Sequence, residues 1–491
     1  MLPALILLPA LAATIAFLLR GNRARRTLLV AAATAHLGIT IATWVLPAEP
    51  VLGGWLEIDA PGRLFLTVTS VLFLAAAVQA VGYLRAEARE NGAEATSSGF
   101  AFAKVPEAVF TGCMLLFLAT MSMVTTCQHL GLLWVAVEAT TLASAPLIYF
   151  HRDGRSLEAT WKYLVVCSVG IALALLGNFF LAVAASGGSD SPPAMILSEL
   201  AAVQGMHPAW VKAALVFFVV GYGTKMGLAP LHTWLPDAHS EAPALVSALL
   251  SGAVLNCAFL AILRVLQVGQ AAGAGDFGRE LMLVLGLVSM GTAAVFVIGQ
   301  ADYKRMLAYS SVEHMGILSV GVGLGGAGVS GAMLHAVNHS IVKAMLFLVA
   351  GNILAAYATK RSSKVRGMLM ERPITGVLWL AGLVAVSGMP PFGTFASELI
   401  ILKAAVDQGR FVVTALFLLM VAVVFIGMAT AILPMAQGFA LGRDVQPGRQ
   451  EGWAASLPAA VLGILALVLG LHLPRAIGTA IHDAAARFGG F

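Results

Sequence analysis

The stretch GYGTKMGLAPLHTWLPDAHSEAP, residues 221–243, decides the fold of this 491-residue chain. It lies between two apolar runs, residues 209–220 and 244–263, that read as membrane-spanning. An unpaired charge such as Lys225 costs several kcal/mol in hydrocarbon, and Pro230 breaks a helix five residues later. Irregular backbone at membrane depth is tolerated only where it is buried in protein or borders water. The stretch therefore predicts an interrupted transmembrane helix around a functional charge.

The composition of the whole chain agrees with a membrane location. Hydrophobic residues make up 59% and charged residues 11%, whereas a soluble domain carries about 25% charged residues. A span needs about 20 mostly apolar residues, which predicts an all-α integral membrane protein with about fourteen transmembrane helices. The approximate limits are 2–19, 27–46, 64–84, 107–126, 129–150, 160–185, 209–229, 244–267, 281–300, 306–326, 330–357, 373–402, 411–440 and 454–473.

Basic residues predict the orientation of these spans. Loops after odd-numbered spans, such as residues 20–26 and 360–372, are rich in arginine and lysine. Loops after even-numbered spans hold fewer basic residues, among them Arg63 and Arg264. Because basic loops stay on the cytoplasmic side, both termini are predicted on the outer side.

Two spans are interrupted by proline. The first breaks at residues 228–236, and the second breaks at SGMPPFGTFASE, residues 387–398. They lie five spans apart, so they run in opposite directions, as inverted repeats require. The predicted units are residues 1–106 (helices 1–3), 107–267 (first repeat, helices 4–8), 281–440 (second repeat, helices 9–13) and 454–491 (helix 14 and tail).

Three titratable residues share one face of a span. His335, His339 and Lys343 are spaced i, i+4 and i+8, which places them about 6 Å apart along a helix. Such groups with water between them form a proton path. The alternative is structural: each histidine bonds a neighbouring helix, and Lys343 pairs with a carboxylate.

Lys225 and Glu138 form a second candidate pair, since both lie within spans. A nearby carboxylate favours the charged form of a buried lysine. Moving the carboxylate would therefore switch the proton affinity of the lysine, as a pump requires. A static ion pair that holds spans 5 and 7 together is the alternative.

Further titratable residues surround these groups. Glu398 follows the second break and is a proton exit or entry group, or a carboxylate at the end of a half-helix. Glu313 and His314 are expected near the start of span 10, with either a relay or an interfacial role. Between spans 7 and 8, a water-accessible entrance or loop capping is expected from His232, Asp237, His239 and Glu241.

Signatures of resident cofactors are missing from the sequence. GLGGAG, residues 323–328, follows no strand and is not a dinucleotide site, and no GxxxxGK[ST] motif occurs. The four cysteines lie in apolar runs without CxxC spacing. We therefore expect no metal site and no cofactor in this chain. The net charge of +5 is spread over loops and does not indicate nucleic-acid binding.

Four motifs resemble the proton-conducting, antiporter-like membrane subunits of respiratory complex I, Mrp-type antiporters and group 4 [NiFe] hydrogenases. They are GTKMGLAPLHTWLPDAHSEAP (223–243), DYKRMLAYSSVEHMGIL (302–318), HAVNHSIVKAMLFLVAG (335–351) and SGMPPFGTFASELIIL (387–402). The resemblance covers residues 60–440, and PALVSALLSGAVLNCAFLAILR (243–264) leans towards component F of hydrogenase-4.

The resemblance implies fourteen helices in two inverted five-helix repeats, with helices 7 and 12 broken. Glu138 then corresponds to the family's helix-5 glutamate and Lys225 to its helix-7 lysine. His335, His339 and Lys343 fall on the helix-11 relay, and Glu398 falls in helix 12. Ser251 and Asn256 stand where many complex I members carry a titratable helix-8 residue. The middle of the path would therefore need water, the loop histidines or another route.

The function implied is proton translocation driven by redox chemistry in partner subunits. This chain would hold no redox centre, and iron–sulfur clusters, with or without a [NiFe] centre, would lie in a soluble arm. Other antiporter-like and small membrane subunits would complete the complex in a bacterial or archaeal cell membrane. An Mrp-type sodium/proton antiporter subunit and a membrane scaffold with a lost relay are the alternatives.

Overall fold

The computed structural model describes residues 1–94, 106–187, 194–438 and 453–488. The regular structure in these ranges is helical, apart from isolated β-bridges. The helices are α1 (Leu2–Leu18), α2 (Asn22–Ala42), α3 (Ala60–Glu94), α4 (Glu107–Thr126), α5 (Leu130–Ile148), α6 (Gly154–Ser186), α7 (Leu197–Ala202), α8 (Pro208–Met226), α9 (Trp234–Glu241), α10 (Ala244–Leu249), α11 (Leu255–Ala271), α12 (Gly275–Val297), α13 (Tyr303–Leu324), α14 (Ala327–Tyr357), α15 (Met368–Glu371), α16 (Pro373–Val386), α17 (Gly393–Asp407), α18 (Phe411–Gln437), α19 (Trp453–Leu471) and α20 (Arg475–Ala486).

Membrane-spanning capacity varies among these helices. Within the described ranges, nine helices are long and apolar enough to cross a membrane. The count rises to ten if the bent pair formed by Ala455–Leu471 and Arg475–Ala486 is one span. A helix or helix pair occupies each predicted span, but several are short or polar. The number of fourteen crossings therefore stays a prediction.

Both predicted breaks occur, and each contains a glycine with left-handed backbone. The helix α8 is followed by Gly227, with φ of +86°, and a Cβ there would lie 2.5 Å from Leu235 Cδ1. At the second break, Gly388 has φ of +61° between α16 and α17. Glycine adopts this conformation without the steric cost other residues meet. Pro230 and Pro390 follow within three residues and prevent the helices from continuing.

Arg264 was predicted to lie in a loop, but the structure places it within α11. Its side chain is fully buried in α11, where it donates to the main-chain oxygens of Val124 at 2.7 Å and Thr125 at 2.8 Å. It also forms an ion pair with Asp59 at 3.2 Å. A cation suits the carbonyl-bearing end of a helix, here the end of α4. The position of Arg264 is therefore explained by helix packing, and this residue gives no information on the orientation of the spans in the membrane.

Candidate functional site

Lys225 is fully buried in the last turn of α8. Its ammonium donates hydrogen bonds to the Tyr163 hydroxyl at 2.6 Å and to Thr141 Oγ1 at 2.9 Å. It also lies 4.4 Å from the ring centre of Tyr163 and 5.8 Å from that of Trp234, within cation–π range. Hydroxyl oxygens and aromatic rings are therefore the direct partners of this cation.

Glu138 is joined to Lys225 indirectly. Thr141 Oγ1, which accepts from Lys225, donates to Glu138 Oε2 at 3.2 Å, and Ser168 donates to the other carboxylate oxygen at 2.8 Å. Glu138 is half-buried and Ser168 is exposed, so this carboxylate lies at the flank of the chain. The sequence reasoning paired the two charges directly. It missed Thr141, although its i+3 spacing from Glu138 places both on one helix face.

Hydroxyl and amide groups occupy the region between the two broken helices. Residues 250–254 form a π-helical turn between α10 and α11, a feature that often marks functional sites. Within it, Ser251 Oγ lies 2.9 Å from Ser311 Oγ on α13. Asn256 donates to Ser340 Oγ on α14 at 2.5 Å. Ser251 and Asn256 thus contact α13 and α14, the helices that carry Lys343 and the histidines described next.

Lys343 is fully buried in α14 and hydrogen-bonds α13. It donates to the main-chain oxygen of Leu307 at 2.8 Å and to the hydroxyl of Ser310. Among the described residues, no carboxylate is within salt-bridge distance of this ammonium. The structural alternative of a Lys343 ion pair is therefore not realised in this conformation.

His335 and His339 meet a histidine of α13. His335 Nε2 lies 2.9 Å from His314 Nδ1, and the His314 and His339 ring centres are 5.1 Å apart. The other nitrogen of His335 lies 2.9 Å from Ser397 Oγ on α17. His314 was expected near the start of a span with Glu313. The structure instead places both residues in the middle of α13, where their side chains are buried.

Glu398 completes this cluster beneath the second break. It is buried, and its carboxylate occupies the space that a Cβ on Gly388 would need. Ligand atoms of Glu398, His314 and His335 lie within 4.8 Å of one another, close enough to hold a metal ion by distance alone. Both nitrogens of His335 already have protein partners, which fits a hydrogen-bonded chain better than a metal ligand. Spacing in the sequence does not reveal the group, because it joins α13, α14 and α17.

The segment between spans 7 and 8 holds ion pairs as well as histidines. Asp237 pairs with Lys162 at 2.9 Å and Arg305 at 2.9 Å, and Glu241 pairs with Lys360 at 2.8 Å. The pairs of Asp237 connect α9 to α6 and α13, and the pair of Glu241 connects α9 to the loop after α14. Both carboxylates therefore have structural partners beside any role at an entrance.

The two histidines of this segment are buried rather than exposed to water. His232 packs edge-on against Tyr309, with ring centres 6.3 Å apart. His239 stacks on Phe347 at 4.9 Å, and neither ring nitrogen has a partner among the described residues. Lys304, assigned to a loop by the sequence, is also buried and donates to the main-chain oxygens of Ser240 and Ala242. An open entrance at His239 is therefore not observed.

These features define a class: a multi-pass membrane protein whose interrupted helices carry buried titratable side chains. Residues 127–427 match the family described as NADH:quinone oxidoreductase/Mrp antiporter, transmembrane. The chain belongs to this family, which confirms the resemblance stated from the four motifs.

Relatives of this chain include hydrogenase-4 components and a subunit of NADH-quinone oxidoreductase. The chain is 39% identical over 285 residues to a hydrogenase-4 component F homolog of Methylacidiphilum infernorum, covering 57% of this chain and 59% of that protein. It is 28% identical to hydrogenase-4 component B of Escherichia coli, covering 74% and 52%. NADH-quinone oxidoreductase subunit N of Desulforudis audaxviator is 32% identical, covering 72% of each chain. The matches to the two hydrogenase-4 components thus span only part of those proteins.

Solved structures share the fold across nearly the whole chain. The membrane-bound sulfane sulfur reductase, an archaeal respiratory complex, aligns with a TM-score of 0.85 at 22% identity, covering 99% and 97% of the two chains. The Mrp complex of Dietzia sp. aligns at 0.83 and 23% identity with the same coverage. Respiratory complex I of Thermus thermophilus aligns at 0.80 and 22% identity over 100% of both chains.

Proposed function

We propose that this chain is a proton-translocating membrane subunit of a multi-subunit oxidoreductase of the hydrogenase-4 or complex I type. The observation that carries the proposal is the hydrogen-bonded chain from buried Lys225 through Thr141 to Glu138, which lies beside a broken helix. Lys225 is hydrogen-bonded to hydroxyl groups, and one of them, that of Thr141, is hydrogen-bonded to the Glu138 carboxylate. A buried lysine in this arrangement can gain and lose a proton. Membership in the family and the names of its relatives support this function.

The first cluster, which consists of Lys225, Thr141 and Glu138, would act as the switch. Movement of Glu138 towards Lys225 favours the charged ammonium, and movement away favours proton release. Two unit charges about 6 Å apart interact by about 3 kcal/mol at an effective dielectric constant near 20. Moving one proton against 100 mV requires about 2.3 kcal/mol, so a carboxylate shift supplies energy on the required scale. The half-buried position of Glu138 would let a neighbouring subunit drive this shift.

The second cluster, which consists of Lys343, His314, His335, His339 and Glu398, would conduct the proton. Ser310 and Ser311 are adjacent on α13, and they bond Lys343 and Ser251 respectively. From Lys343 the path would continue through the histidines of α13 and α14 to Glu398 at the second break. The ring nitrogens of buried His339 and His239 lack a hydrogen-bond partner among the described residues, which favours ordered water along this route. Water and hydroxyl groups would thus replace the missing titratable group at Ser251 and Asn256.

The proposed organisation keeps fourteen spans with both termini on the outer side. Residues 107–267 and 281–440 would form the inverted repeats, and residues 1–106 and 454–491 would flank them. The left-handed glycines at the two breaks, Gly227 and Gly388, support this correspondence. Redox centres of the iron–sulfur type, with or without nickel, would lie in partner subunits in a bacterial or archaeal cell membrane. A sodium/proton antiporter subunit is the second candidate, favoured by the likeness to the Mrp complex.

The decisive experiment is gentle extraction of the native complex, followed by mass spectrometry of the proteins that co-purify. We expect iron–sulfur proteins and dehydrogenase- or hydrogenase-type subunits. In proteoliposomes, proton movement should require the electron donor and disappear with Lys225→Ala. Antiporter-type membrane subunits alone, with exchange driven by a sodium gradient, would establish the second candidate. Unchanged donor-driven proton movement in the Lys225→Ala and Glu138→Ala complexes would assign the chain a scaffold role.

A further inference from the structure

A cleft of about 490 Å³ lies between α2 and α3, away from the proposed proton path. Three arginines line it: Arg23 and Arg26 from the first turns of α2, and Arg85 from the far part of α3. The two helices run antiparallel, since Trp44 at the end of α2 donates to Thr67 near the start of α3 at 2.9 Å. The start of α2 and the end of α3 therefore meet at one edge of the helix pair.

The lining of the cleft changes from basic to apolar with depth. Val30 lies four residues after Arg26, and Val81 lies four residues before Arg85. Four residues advance a helix by about 6 Å, so Arg26 and Arg85 each have a valine about one turn away along the helix. Ala31 adds to the same apolar wall. In both helices, arginines therefore line the cleft at its edge, and small apolar side chains line it further in.

The side chain of Arg26 is held in place at the wall of this cleft by hydrogen bonds within the protein. Its Nε and Nη2 donate to the two carboxylate oxygens of Glu107 at 2.6 Å each, and Nη2 also donates to the main-chain oxygen of Leu84 at 3.1 Å. Glu107 thereby neutralises Arg26. Arg23 and Arg85 are exposed and have no ion pair with a carboxylate whose side chain the structure describes. The net positive charge of the cleft therefore comes from these two guanidinium groups.

We propose that this cleft binds one anionic phospholipid, with its phosphate between Arg23 and Arg85 and an acyl chain along Val30, Ala31 and Val81. Guanidinium groups match phosphate oxygens with paired donors, and basic pockets between transmembrane helices take anionic lipid head groups. A soluble phosphate compound would satisfy the arginines but would leave the apolar wall uncovered. The two-level lining therefore favours a lipid over a free anion.

The test uses the full-length chain in its purified complex, stripped of lipid and titrated in detergent with phosphatidylglycerol or phosphatidylcholine under native mass spectrometry. Each basic residue beside an anionic lipid strengthens binding about fivefold, so Arg23→Gln/Arg85→Gln should weaken phosphatidylglycerol binding by roughly 30-fold. The matched control is Arg20→Gln/Arg155→Gln, which removes two exposed arginines outside the cleft and should leave binding unchanged.

Three results would overturn the proposal. The cleft variant could bind phosphatidylglycerol as tightly as the wild type while its helical content and subunit composition are intact. Phosphatidylcholine could bind the wild type as tightly as phosphatidylglycerol, which would remove the role of net charge. Glycerol phosphate alone could bind as tightly as the lipid, which would make this a soluble-phosphate site. If the cleft variant fails to assemble, Arg85→Gln alone should still weaken binding about fivefold, and unchanged affinity would contradict the proposal.

Discussion

The two broken helices carry clusters of different chemistry. At the first break, a single lysine is held by hydroxyl groups and aromatic rings, and its carboxylate lies half-buried at the flank. At the second break, His314 of α13 contacts both His335 and His339 of α14, and Glu398 is buried beside this group. The first cluster therefore reaches the flank of the chain, whereas the second is enclosed by the helices of the chain.

Because of this contrast, we expect mutations in the two clusters to affect transport in different ways. A change at the flank alters the charge partner of Lys225, because only the Thr141 hydroxyl separates it from Glu138. His314 and His335 share a hydrogen bond within the protein, so under the proposed function they would pass a proton without an outside partner. We expect mutations in the first cluster to uncouple transport from the driving reaction, and mutations in the second to slow conduction.

The largest expected effect comes from Lys225→Met, which keeps the apolar stem and removes the ammonium. Donor-driven proton transport in proteoliposomes, followed with a pH-sensitive dye, should fall to the leak of empty liposomes. Lys403→Met is the control, because Lys403 is an exposed lysine paired with Asp407 on one helix. Transport by the Lys225→Met complex at half the wild-type rate or more would remove Lys225 from the proposed switch.

His335→Leu tests the conducting cluster. Loss of a positioned proton-transfer group lowers rates by about 100-fold, so we expect that reduction in transport. Partner-subunit electron transfer measured with an uncoupler should be affected less than transport. His472→Leu changes an exposed histidine near the end of α19 and should transport normally. Equal rates for the two variants would contradict a path through α14.

Thr141→Val tests the hydroxyl bridge while keeping the shape of the side chain. Hydrogen bonds to charged groups contribute about 1.5–3 kcal/mol, so transport should fall about tenfold through weaker coupling of Lys225 to Glu138. Thr140→Val is the matched control, since its buried hydroxyl bonds the main-chain oxygen of Val137 at 2.7 Å. If both variants lose the same fraction of transport, the effect lies in helix stability rather than in the bridge.

Ser251→Ala should give the smallest effect. It removes the 2.9 Å contact between Ser251 and Ser311 where the two clusters meet. A neutral hydrogen bond contributes about 1 kcal/mol and water can replace a hydroxyl, so we expect about threefold slower transport. Ser319→Ala, which removes a buried hydroxyl bonded to the main-chain oxygen of Met315, should transport as the wild type. A loss as large as that of His335→Leu would make Ser251 an essential carrier.

Family, broken helices and the main titratable residues were predictable from the sequence because each leaves a local signal. Charges inside apolar runs marked Lys225 and Lys343, i+4 spacing placed His335 and His339 on one face, and prolines marked both breaks. These signals depend on hydropathy and helix period, which act over a few turns. The resemblance of the four motifs added the family, which the match over residues 127–427 confirmed.

Contacts between helices were decided by the tertiary structure alone. The Thr141 hydroxyl links α5 to Lys225 on α8, and His314 of α13 meets His335 of α14. Arg264 of α11 pairs with Asp59, just before α3. A polar side chain in an apolar run must be satisfied, but its sequence neighbours do not determine which helix supplies the partner. Only the packing of all helices brings those groups within hydrogen-bond distance. The sequence by itself therefore determined that Lys225 and Lys343 lie inside apolar runs, and the tertiary structure determined which groups they contact.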